Sequence, residues 1–397
     1  MFPRYLRVLT RLCDNLMNAI TLANAHIVGE FDEFVGLISF DEDRIINIDR
    51  TDAVPSGAID CGGDIVCPGL IELHTDNLER HIQPRPGVFW SSEAAVAAHD
   101  RELASAGVTT VFDALRVGSV PSDENSTGYR KYARDTANKI LSMVNSGDMK
   151  INHYIHLRAE LCTETLPDEL AEFSSSDRVG LVSLMDHTPG QRQFRDVEKL
   201  REYLRGKHGF SESKIDQHFA ERIELQTLYG DKHRDLAIKF SEDVNAVLAS
   251  HDDTTVGDVE ASAAAGVRLA EFPTTIEAAE SCRQFNQSII MGAPNIVRGQ
   301  SHSGNVAAED CGKAGLLDIL SSDYIPASLL LGAVKLGYAL GDFKKGIQSV
   351  TSAPADAVGL DDRGRLKVGS RADIVRFRLR DNLPVVGSVY CGGKQVA

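Results

Sequence analysis

The stretch Pro68-Gly69-Leu70-Ile71-Glu72-Leu73-His74-Thr75-Asp76 decides how the chain is read. The apolar run Leu70 to Leu73 is a short buried-strand signal, opened by Pro-Gly and closed by residues with ligand chemistry. Side chains alternate along an extended backbone, so His74 and Asp76 fall on the same side and can reach one metal ion.

Working outward, seven further short apolar runs alternate with Ala-rich or charged helical stretches: Val108 to Phe112, Asn152 to Leu157, Gly180 to Met185, Ala246 to Ala249, Val267 to Ala270, Ser288 to Met291 and Leu317 to Leu320. Helix starts between them carry capping signals at Thr255 with Asp258 and at Thr274 with Glu277. Eight strand–helix units predict a (β/α)₈ TIM barrel over residues 68–351. Alternating β-type sequence at 19–67 and again at 352–397 predicts a small β-sandwich domain built from both termini. Residues 1–18 read as an N-terminal extension: Arg4, Arg7 and Arg11 are followed by no long apolar stretch and no small-residue cleavage site. Between His187 and Val244 lies a charged insertion with two helix-like segments, Asp196 to Lys207 and Ser211 to Tyr229. It reads as a solvated face or as a lid beside the site.

In such a barrel the reactive groups sit at the C-terminal ends of the strands. The first strand ends in His74 and Asp76, the third in Glu160, the fourth in His187, the fifth in His251-Asp252-Asp253 and the eighth in Asp323. Imidazoles and carboxylates converging at one barrel mouth suit one or two divalent ions, Zn²⁺ first, with Mn²⁺ or Fe²⁺ as alternatives. Asp252 and Asp253 could equally cap the helix beginning near Thr255. After the seventh strand, Gly292 to Asn305 supplies Arg298, Ser301, His302, Ser303 and Asn305, donors of the type that phosphate oxygens need, where such barrels usually bind phosphate. His81 and Arg85, on a Pro-stiffened loop after the first strand, are candidate anchors for a second anionic group, or else pack near Trp90.

The chain has 397 residues and 43% hydrophobic content, enough for a large core. Its formal net charge of -15 repels polyanions, which argues against a nucleic-acid partner, and no run is long and apolar enough for a membrane span. Seven scattered cysteines without a paired spacing read as reduced thiols of a cytoplasmic protein. Assembly with further copies of itself is left open.

The quoted stretch resembles the amidohydrolase superfamily, and Ser352 to Leu360 with Gly369 to Val375 looks like that superfamily's closing motif. Four segments narrow the likeness: His74 to His81, Phe112 to Leu115, Leu184 to Gln191 and Arg298 to Asn305 are similar to the PhnM family of the carbon–phosphorus lyase pathway. That resemblance implies hydrolysis of the phosphorylated sugar α-D-ribose 1-methylphosphonate 5-triphosphate with release of pyrophosphate. It further implies metal binding by His74, Asp76, Glu160, His187, His251 and Asp323, with Asp323 as general base. Two departures stand out: the superfamily's first-strand motif is His-x-His, and the later histidines here fall on the fourth and fifth strands rather than the fifth and sixth. Two rival readings are a hydrolase of cyclic amides or N-acyl groups, and a degenerate scaffold barrel. The scaffold predicts lost ligands, whereas here the ligand positions are filled.

Overall fold

The computed structural model describes residues 19–85, 87–120, 131–301 and 304–397. Eight parallel strands pair in chain order: Leu70–Thr75, Val108–Val117, Asn152–Glu160, Val179–Met185, Val247–His251, Leu269–Glu271, Ser288–Gly292 and Ile319–Ser321. All eight expected runs are strands. The second and third extend further than their apolar runs, to Val117 and Glu160, because the pairing of Arg116 with Arg158 and of Val117 with Ala159 continues the ladder. The ring closes through a parallel bridge between Thr75 and Asp323. There Thr75 Oγ1 donates to Asp323 O at 2.8 Å and Asp76 N donates to the same oxygen at 2.9 Å.

Period-two alternation sorts the strand residues. Ile71, Leu73, Phe112, Leu181, Ala249, Leu269, Ile290 and Ile319 fill the barrel interior, while Leu70, Val111, Ala270 and Ile289 pack outward under the helices. Each such large side chain contributes about 1.5–3 kcal/mol of burial. Phe112 stacks on Tyr154 with ring centroids 4.9 Å apart, and a Cβ at position 180 would meet the Phe112 ring at 2.4 Å, so the fourth strand needs its glycine. Glu72, fully buried, accepts from His74 N at 2.8 Å, Ser321 Oγ at 2.7 Å and Ser322 N at 2.6 Å, which pins the ends of the first and eighth strands together.

The two chain ends share one further eight-stranded sheet, ordered Lys394–Gln395, Leu383–Cys391, Ile374–Arg380, Ile65–Pro68, Ile20–Val28, Glu33–Asp41 and Arg44–Asp49, with Ile59–Asp60 beside Ile20–Val28. Ile27, Val66, Ile374 and Tyr390 face its own core; their neighbours Val28, Cys67, Val375 and Val389 face the barrel helices. The sheet curls back on itself, since Ile45 N donates to Ser370 O and Gly369 N to Ile45 O.

Thr255 and Asp258 form the expected capping box. The next helix, Ile276–Gln284, is capped by Thr275 and not by Thr274, whose hydroxyl is engaged with Thr254 Oγ1 at 2.7 Å. The insertion folds as helices Val197–His208 and Glu212–Asp243, with Asp196 and Ser211 as N-caps. The second helix runs past Tyr229 because Gly230, which reads as a stop, is followed by the buried face His233, Ala237 and Ser241. His233 Nδ1 lies 2.9 Å from Leu161 O and so ties this helix to the barrel. All six described cysteines are buried and unpaired. Among the described residues no helix is long and apolar enough to cross a membrane.

Candidate metal centre and substrate cleft

The C-terminal mouth of the barrel opens into a cleft of about 290 Å³. Its lining includes His74, Asp76, His187, His251 and Asp323 together with Arg298, Gln300, Ser301 and Asn305. Residues separated by up to 249 positions in sequence are therefore brought together by the barrel ends. Asp252 and Asp323 both adopt left-handed backbone (φ 56° and 55°) as their strands end, a conformation that Asp tolerates better than most residues.

Carboxylates back all three histidines. His74 Nδ1 lies 3.0 Å from Glu271 Oε1, His251 Nδ1 lies 3.2 Å from Glu271 Oε2, and His187 Nδ1 lies 2.8 Å from Glu160 Oε2. A carboxylate on Nδ1 fixes the proton there and leaves Nε2 with its lone pair, which is how metal-binding imidazoles are oriented. Glu271 also accepts from Ser183 Oγ at 2.8 Å and is fully buried. It was not singled out in the sequence; the one signal was a carboxylate closing a buried strand, Leu269-Ala270-Glu271. Glu160 thus reaches the cleft through His187.

Among the described residues, two groups bring ligand atoms close enough to hold an ion: His74, His156 and Glu271, and His187, His251 and Asp252. In the second, Asp252 Oδ2 is a buried carboxylate oxygen without a hydrogen-bond donor, 3.2 Å from His251 Nε2. A buried carboxylate oxygen calls for a positive partner, here the His251 imidazole or a metal ion in the place of its proton. Burial alone would depress His251, yet the carboxylates of Asp252 and Glu271 push it up to about 10. A place that holds a proton so firmly suits a divalent cation, so the donor set and its charge fit a metal. Asp252 turns to this group and not to the following helix, which Thr255 caps; Asp253 pairs with Arg192.

Asp323 is raised above the usual carboxylate range by burial and by the neighbouring Asp76 charge. Asp76 is lowered despite its burial, because the Arg158 guanidinium pairs with it. Arg158, from the third strand, lines the cleft and was also missed in the sequence. The insertion contributes Gln193 to the cleft wall and sets the Phe194 ring 5.9 Å from that of His187.

Two expected anchors sit elsewhere. His81 Nε2 is 2.7 Å from Glu102 Oε2, and Arg85 bridges to Val88; neither lines the cleft, because the helix Asn77–Ile82 turns them toward the helix Ser92–Ser105 and the loop that precedes it. His302 and Ser303 lie outside the described residues.

A model of the amidohydrolase family matches residues 65–396. The chain is 41% identical over 342 residues to the α-D-ribose 1-methylphosphonate 5-triphosphate diphosphatase of Escherichia coli K12, covering 85% of this chain and 90% of that one. Among solved structures it is similar to N-isopropylammelide isopropylaminohydrolase from Burkholderia multivorans (16% identity, TM-score 0.61, covering 96% of this chain and 98% of that one). It is also similar to N-acetylglucosamine-6-phosphate deacetylase from Pasteurella multocida (12% identity, TM-score 0.60, covering 95% and 99%). At these identities the structural likenesses speak for the barrel and its companion sheet alone. Taken with the matched family model and the Escherichia coli relative, they place the chain in the amidohydrolase family and, within it, in the family of that diphosphatase.

Proposed function

We propose that this protein hydrolyses α-D-ribose 1-methylphosphonate 5-triphosphate to the 5-phosphate with release of pyrophosphate. The observation that carries the reading is a pairing within one cleft: carboxylate-backed imidazoles and the phosphate-type donors Arg298, Gln300, Ser301 and Asn305 line the same cavity. The choice of sugar rests on the 41% identity to the Escherichia coli enzyme.

His187, His251 and Asp252 would hold a divalent ion, with His74 and Asp323 beside it; Zn²⁺ is the first choice for this N/O donor set. Such an ion supplies Lewis acidity and lowers the pKa of water toward about 7. Asp323, whose burial and whose neighbour Asp76 raise its proton affinity, takes the proton from the attacking water at its carboxylate. Oxygen attacks the α-phosphorus, the bond from that phosphorus to the bridging oxygen breaks, and pyrophosphate leaves. Arg298 donates to the departing phosphate oxygens. Buried unpaired thiols suit a reducing cytoplasm.

The test is metal analysis of the purified protein coupled to a pyrophosphate assay on the ribosyl triphosphate and on a panel of cyclic amides and N-acyl sugars. Pyrophosphate release with no amide cleavage is expected; the opposite pattern would move the reaction to carbonyl carbon.

A further inference from the structure

We propose that Arg158 is a built-in cation standing where a second metal ion would sit, so that each chain holds one divalent ion and not two. The inference rests on the metal-centre reading above and fixes its number.

The first and eighth strands meet at the barrel seam, where Asp76 N donates to Asp323 O at 2.9 Å. Two neighbouring carboxylates at the seam repel each other and call for a positive charge beside them. Arg158 supplies it: its guanidinium pairs with Asp76, its Nε lies 3.2 Å from Met185 Sδ, and its side chain is 13% exposed. Glu79 and Glu160 also exert charge attraction on it. Arginine keeps its charge at every working pH, so a second dication here would meet a fixed positive neighbour.

The donor inventory agrees. In the group His74, His156 and Glu271 both ring nitrogens of His156 and both oxygens of Glu271 are already engaged, which leaves only His74 Nε2. Both Glu271 oxygens are taken, one by His74 and the other by His251 and Ser183, while His156 Nδ1 is 2.9 Å from Leu73 O and its Nε2 is 2.5 Å from Ser183 Oγ. That group is a hydrogen-bonded frame for His74 and His251. The group His187, His251 and Asp252 retains an unsatisfied carboxylate oxygen. Asp76 belongs to neither group among the described residues.

The experiment strips the full-length protein of metal, reloads it with Mn²⁺, and measures bound ions per chain by mass spectrometry alongside the electron paramagnetic resonance spectrum. The wild type is expected to take up one Mn²⁺ with the six-line signal of an isolated ion. Arg158→Lys should stay at one, and Arg158→Gln or Arg158→Met should rise to two with a spin-coupled spectrum. Two ions per wild-type chain overturn the inference while leaving the metal centre intact, as does a folded Arg158→Gln that stays at one. No bound ion in the wild type overturns the metal centre itself. Should both neutral variants fail to fold, the wild-type stoichiometry and spectrum decide the matter.

Discussion

Replacing Glu271 by Gln tests the frame behind the histidines. Three donors converge on this carboxylate: His74 Nδ1 at 3.0 Å on one oxygen, and His251 Nδ1 at 3.2 Å with Ser183 Oγ at 2.8 Å on the other. A glutamine keeps one acceptor oxygen and turns an NH₂ toward the remaining partner. With the oxygen on the Ser183 side, the amide faces His74 and forces it to carry its proton on Nε2, so an N–H points where a lone pair was needed. With the oxygen reversed, His251 suffers the same fate. Loss of an outer-shell partner of this type weakens metal binding by roughly 10- to 100-fold, or about 1.4–2.7 kcal/mol. The mismatched donors cost a further 1–3 kcal/mol of stability, roughly the penalty for an unsatisfied buried group. Competition with a chromogenic chelator reads the affinity, and urea unfolding of the metal-stripped protein reads the stability. A Glu271→Gln protein that binds Zn²⁺ within twofold of wild type would refute the argument, because its frame would then not orient the imidazoles.

Asp323→Asn should keep the fold and lose turnover by roughly 10²- to 10⁴-fold, the range for removing a positioned base; near-normal pyrophosphate release would remove Asp323 from the chemistry. Arg298→Ala should lower kcat/KM for the triphosphate by roughly 10- to 100-fold, as loss of one charge-assisted bond implies, with unchanged metal content. Behind the barrel wall, His153 lies between Asp113 at 2.7 Å and Asp100 at 3.2 Å; against the pull of burial these carboxylates raise it to about 9 from its ordinary 6.5, while Asp113 is held down at about 2. The raised histidine stabilises the fold fully below about pH 6.5 and ceases to do so as pH rises through about 9, a swing of roughly 3 kcal/mol. Asp113 contributes above about pH 4 and loses its effect as pH falls toward about 2. Thermal melts across this span should fall on the alkaline side in wild type and flatten in His153→Gln; an identical alkaline slope in both would discount the cluster.

Much of the architecture was legible because strand alternation and apolar runs are local signals. Val108 to Phe112 or Ser288 to Met291 needs no knowledge of its neighbours to be read as a strand. The histidines were legible for a related reason: His74, His187 and His251 each come within two residues of the end of such a run. What escaped depends on contacts across the barrel. Glu271 looks like an ordinary strand end until His74, from 197 residues earlier, meets it. Arg158 falls one residue past the run Asn152 to Leu157, and only pairing with Asp76 reveals its place. Asp252 was ambiguous between capping and ligation; Thr255 takes the cap, and Asp252 lies 3.2 Å from His251 Nε2. His81 and Arg85 were grouped by proximity in sequence, which a six-residue helix undoes by turning them toward Glu102 and Val88.

The seam between Thr75 and Asp323 joins residues 248 positions apart. During translation His74 leaves the ribosome long before its counterpart on the last strand has been made, and the strand Ile65–Pro68 waits still longer for Ile374–Arg380. A nascent chain therefore carries exposed strand edges through most of its synthesis, a state prone to mispairing. Catalytic competence arrives in a late step, when the newest residues dock onto some of the oldest.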